Sequence, residues 1–100
     1  MRSRVMRKTV NSVHFDFGEG SWTNWEMHPK ADEFVYLLSG SVELLLEQTS
    51  GVQSVALRGR GAVVVPKGIW HTAKVLASSR MLFVTMGAGT EQRPSTASTT

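Results

Sequence analysis

Glu26, His28, Glu33 and His71 are the residues of this 100-residue chain whose types and spacing could do chemistry together. Neutral imidazole and carboxylate suit first-row divalent metals, and two histidines with one carboxylate leave coordination positions open. Taken singly, each has an ordinary explanation: a surface or satisfied core histidine, a solvated glutamate. Their placement argues for more. Glu26 and His28 lie two apart on a predicted strand, so their side chains point to one face. Glu33 follows a tight Pro29-Lys30-Ala31-Asp32 connection at the start of the partner strand, where a hairpin brings strand end and strand start together. His71 arrives from a later strand, just past a Pro66-Lys67-Gly68 turn. Four polar side chains inside a small barrel are costly without compensation, and a divalent cation supplies it.

The elements that must position these residues are strands. No segment sustains a helical period, and short apolar or alternating runs are separated by Gly, Pro, Ser and Asn. The pattern predicts strands over 10–17, 22–28, 33–38, 42–48, 52–57, 62–65, 70–76 and 81–86, with turns at Ser39-Gly40, Gly59-Arg60-Gly61 and Ser78-Ser79. Roughly eight short strands at close intervals predict an all-β fold, an antiparallel sandwich or barrel. Alternation assigns Asn24, Val35, Ile69 and Ala73 to the faces of the four candidate ligands, as substrate contacts lining the cavity. The same alternation turns Trp25, Met27, Phe34 and Tyr36 outward, an apolar patch that predicts a homodimer. Trp22, Trp25 and Trp70 read as packing or interface residues, and His14 as solvent-exposed.

The stretch from Trp25 to Glu33, followed after six residues by Gly40, resembles the first motif of the cupin family. Pro66-x-Gly68-x-x-His71 resembles the second, and the two stand in the family's order with apolar strands between them. The resemblance covers residues 22–87 and implies a cupin-type antiparallel β-barrel, a double-stranded β-helix or jelly roll. It implies one divalent metal ion (iron, manganese, nickel or zinc) held by His28, Glu33 and His71. Three positions depart from the family pattern. Glu26 stands where the first histidine of His-x-His is usual, and is a fourth ligand, a catalytic base or a substrate contact. Arg60 holds a place where glycine is common, and Val75 one where asparagine is frequent. Cupins include dioxygenases, isomerases, decarboxylases, sensors and storage proteins, so a metal-dependent enzyme on a small organic substrate stands beside a non-catalytic binding or sensing module.

Composition narrows the field. The formal charge is +3, but Arg2, Arg4, Arg7 and Lys8 carry four of the eleven basic residues, and the remaining seven face eight acidic ones. A basic face spread over a domain, as nucleic-acid binding requires, is missing. There is no cysteine, which excludes disulfides, thiolate ligands and a cysteine nucleophile. No apolar run is long enough to span a bilayer, and no apolar segment follows the basic start as in a secretory signal, so the expectation is a soluble cytoplasmic protein. The chain divides into a basic N-terminal arm at 1–8, a barrel at 9–88 and a flexible C-terminal tail at 89–100.

Overall fold

The computed structural model describes residues 11–86 and 88–94, with side chains from Asp16 onward. The basic arm at 1–8 and the side chain of His14 lie outside the described residues. Eight strands follow in chain order: β1 (Asn11–Phe17), β2 (Gly20–Ser21), β3 (Asn24–Met27), β4 (Glu33–Gln48), β5 (Gly51–Arg58), β6 (Ala62–Val65), β7 (His71–Thr85) and β8 (Glu91–Pro94). Among the described residues there is no helix, and so none long and apolar enough to cross a membrane.

Two long strands organise the antiparallel sheet. The first half of β4 pairs with β6 and with the second half of β7, whose other edge takes β1. The second half of β4 pairs with β5 and with the first half of β7, which also pairs with β2 and β3. Both long strands therefore pass from one side of the fold to the other, and a strand changes sides at a bend or bulge. The β4–β7 register shifts between Leu37 and Val42, and across that stretch the buried positions of β4 change from Glu33, Val35 and Leu37 to Val42, Leu44 and Leu46.

Gly40 makes the bend possible. Its φ of 106° lies in the region that disfavours side chains, and a Cβ there would sit 2.6 Å from the Ser78 carbonyl oxygen. Ser79, buried opposite, accepts a hydrogen bond from Ser41 N at 3.0 Å and donates to Ala77 O at 2.6 Å. The expected breaks at Ser39-Gly40 and Ser78-Ser79 are thus corners inside continuous strands. Hydrogen bonding continues through them because glycine on one strand and a self-bonded serine on the other absorb the irregularity.

Between the two sides lies an apolar interior of Val35, Leu37, Val42, Leu44, Leu46, Leu57, Val65, Ala73, Val75 and Met81. Phe17, Trp22 and Phe83 pack against it as an aromatic cluster, with ring centroids 5.5 to 6.2 Å apart. The chain end departs from expectation, since Glu91–Pro94 pair with β3 instead of trailing as a flexible tail. Residues 95–100 lie outside the described residues.

Candidate metal centre

Three strand starts and ends deliver the candidate ligands. Glu26 lies on β3, directly opposite His71 at the start of β7. His28 follows β3 immediately, and Glu33 opens β4 opposite Val65. The loops between them are stitched together: Gly68 N donates to His28 O at 2.9 Å, and Lys67 N donates to Asp32 Oδ1 at 2.9 Å. Gly68, with φ of 80°, lets the Pro66-Lys67-Gly68 turn lie against the loop that carries His28. Glu33 and His71 lie on paired strands but are not register partners, His71 standing opposite Leu46, so their contact is made by side chains and not along the ladder.

The site is buried and convergent. His28, Glu33 and His71 are only 6%, 4% and 2% exposed, while the Glu26 side chain remains 30% exposed. Glu33 Oε1 lies 2.9 Å from His71 Nε2 and 3.3 Å from His28 Nε2, and Glu26 Oε1 lies 3.8 Å from His28 Nε2. Ligand atoms of Glu26, His28 and His71 all fall within 4.8 Å of one another. The 2.9 Å contact is short enough for a hydrogen bond, yet neither Nε2 has a partner in hydrogen-bonding geometry. Ligand atoms around one ion at about 2.1 Å are separated by roughly 3.0 to 3.4 Å. Glu26, His28 and His71 form a possible metal-binding group, and Glu33 lies against both histidines.

The other ring nitrogens are occupied. His71 Nδ1 lies 3.1 Å from Ile69 O, an acceptor that requires the ring to donate. Donation from Nδ1 leaves the neutral ring's lone pair on Nε2, the atom aimed at Glu33. His28 Nδ1 lies 2.8 Å from Thr90 Oγ1. Electrostatics follow from the burial. Burial opposes ionisation of Glu33, but the two imidazoles outweigh it and hold its carboxyl below the usual range. For His71, burial is again opposed, and the Glu33 carboxylate, the Ile69 carbonyl and Glu26 together raise its pKa above the ordinary histidine value.

The expected substrate contacts are distributed unevenly. Val35 and Ala73 are fully buried in the apolar interior, and Ile69 packs against it. Asn24 is exposed, and its carbonyl accepts a 2.9 Å hydrogen bond from Thr72 Oγ1. Trp25 is not outward-facing and exposed as expected. It is buried: β8 pairs along the edge of β3, and Arg93, opposite Trp25, brings its guanidinium to 5.5 Å from the ring. Trp22 Nε1 is buried without a hydrogen-bond partner, so any partner must be an acceptor. Sequence reasoning missed Thr90 and Gln92, the latter donating to Glu26 Oε2 at 3.3 Å. Both lie in a polar stretch with no apolar period to mark it as a strand.

Residues 12–81 match the EutQ-like cupin domain. No curated protein sequence matches significantly. Among solved structures, a cupin-2 domain protein from Shewanella frigidimarina is similar at 18% identity and TM-score 0.65, over 77% of this chain and 70% of that one. An oxalate oxidase is similar at 19% identity and TM-score 0.69, over 81% of this chain and 44% of that one. An oxalate decarboxylase from Bacillus subtilis is similar at 19% identity and TM-score 0.74, over 89% of this chain and 25% of that one. The chain thus spans less than half the length of either oxalate enzyme.

Proposed function

The chain belongs to the EutQ-like cupin domain family, and from that premise we propose that it binds one divalent metal ion and uses it on a small organic molecule. His28, Glu33 and His71 hold the ion through Nε2, a carboxylate oxygen and Nε2. The observation that carries this is the pair of buried Nε2 atoms that converge on Glu33 with no hydrogen-bond partner. A mixed nitrogen and oxygen set suits iron, manganese, nickel or zinc, and two carboxylates move the preference toward the harder of these.

Such an ion supplies Lewis-acid chemistry at its open positions when bound. Glu26 does the rest of the polar work. Its carboxylate is the most accessible of the four, and it serves as a fourth ligand or as the group that takes a proton from a substrate beside the ion. Sharing a fold with an oxalate oxidase and an oxalate decarboxylase supports a small organic acid as the first class to try. We assign the protein to the cytoplasm as a homodimer, the outward Phe34 and Val64 being its apolar face.

The test is elemental analysis of protein purified without chelators. About one equivalent of iron, manganese, nickel or zinc per chain is expected, with loss on His71→Ala. Unchanged metal content in His71→Ala places the ion elsewhere and defeats the reading.

A further inference from the structure

β3 carries Glu26 and leads directly into His28, yet it has four residues and pairs with β7 only at Glu26 opposite His71. Its other edge is held along its full length by β8, with Asn24 opposite Pro94, Trp25 opposite Arg93, Glu26 opposite Gln92 and Met27 opposite Glu91. β8 is therefore the main ladder partner of the strand that positions two of the four candidate ligands. The same segment also reaches those ligands with side chains. Thr90 Oγ1 lies 2.8 Å from His28 Nδ1, and Gln92 Nε2 donates to Glu26 Oε2 at 3.3 Å.

Arg93 anchors the segment. Its guanidinium lies 4.4 Å over the Trp70 ring and 5.5 Å from the Trp25 ring, and donates to Glu47 Oε2 at 2.6 Å. A planar guanidinium can stack on aromatic faces and pair with a carboxylate at once, which an ammonium does less well. Trp25 precedes Glu26 and Trp70 precedes His71, so this contact grips the backbone next to two ligands. Glu47 N also donates to Trp70 O at 2.8 Å, tying the end of β4 to the same place.

We infer that Thr90–Arg93 is a positioning strap of the metal centre, an inference that rests on the metal reading above. Thr90 sets the ring of His28: a ring that keeps its Nε2 lone pair for the ion carries its proton on Nδ1, and the threonine hydroxyl accepts it. Gln92 aims the Glu26 carboxylate, and Arg93 holds the strap down.

The experiment uses the full chain stripped of metal and titrated with Mn²⁺, following the free ion by its paramagnetic resonance signal. Thr90→Val and Arg93→Ala are each expected to weaken Mn²⁺ binding about tenfold or more, and Thr90→Ser to restore it. Arg80→Ala removes an exposed pair with Asp16 on another part of the fold and is expected to leave affinity unchanged. Rescue by serine separates positioning from general loosening. Amide exchange of the metal-free chain supplies a readout independent of the ion: Asn24–Met27 should exchange faster in Arg93→Ala and not in Arg80→Ala. A parent that binds Mn²⁺, with both strap variants within about twofold of it, overturns the strap and leaves the metal reading intact. Unchanged exchange in Arg93→Ala also overturns it, and a parent that binds none of Mn²⁺, Fe²⁺, Ni²⁺ and Zn²⁺ overturns both readings.

Discussion

Replacing Gly40 by alanine should damage the fold far from the candidate ligands and thereby test how the ligands are brought together. Gly40 has φ of 106°, and a Cβ there would approach the Ser78 carbonyl oxygen and the Ser79 Cα to 2.6 Å each. Both are backbone atoms, so no side-chain rotation relieves the contact. Holding a residue with a side chain in a sparsely populated backbone region costs about 1–3 kcal/mol. Overpacking adds about 1–3 kcal/mol. The combined loss of about 4 kcal/mol is a large part of the roughly 5–15 kcal/mol that stabilises a domain. For a domain of this size it corresponds to a fall in Tm of about 15–30 °C. Thermal denaturation of the metal-free chain, followed by circular dichroism, measures it. Adding Ser79→Gly should restore little, because the backbone obstacles remain while the hydrogen bonds of Ser79 to Ser41 N and Ala77 O are lost. A Tm within about 4 °C of the parent would refute the close-approach argument, and full recovery in the double variant would show that only the serine side chain stood in the way.

The metal-free chain should be most stable between pH 4.5 and 6.5, the ordinary values of Glu33 and His71. The lowered Glu33 contributes above its ordinary value and loses that contribution as pH falls through its folded pKa, while the raised His71 contributes below its ordinary value and loses it as pH rises through its folded pKa. Added Mn²⁺ should reverse the upper limb, since an imidazole must be neutral to bind it; a metal-free Tm that climbs steadily from about pH 6 to 8 contradicts the assignment. Glu26→Gln should lower Mn²⁺ affinity by on the order of tenfold or more, and Glu26→His should keep binding while shifting preference toward softer metals. Equal affinity in parent and Glu26→Gln removes Glu26 from the ligand set. Light scattering should give about twice the 11.0 kDa chain mass, because Phe34 and Val64, paired in register and 40% and 55% exposed, form an apolar face with Tyr36 stacked on Phe34. A monomer mass at micromolar concentration excludes the dimer.

What the sequence disclosed was governed by the range of the interactions involved. The all-β class was legible because alternation is local: Glu33, Val35 and Leu37 alternate on one face, and Pro66 and Gly68 mark a turn by their own backbone preferences. The continuity of β4 was not, because Gly40 reads locally as a chain break and becomes a corner only when Ser79, thirty-eight residues beyond Ser41, closes over it. Burial of Trp25 was hidden for a related reason. Its place on β3 predicts an outward side chain, and the edge of β3 is taken by a strand with almost no apolar residues, whose Arg93 guanidinium lies over the Trp25 and Trp70 rings. Binary patterning finds strands that bury hydrophobic faces, and β8 docks by ladder hydrogen bonds, ring stacking and an ion pair, which leave no period. The residues that orient a metal centre are recruited for hydrogen bonds to its ligands, so Thr90 and Gln92 belong to a class that apolar patterning passes over. Candidate ligands can thus be read from spacing and residue type, while the groups that aim them emerge only from three-dimensional contact.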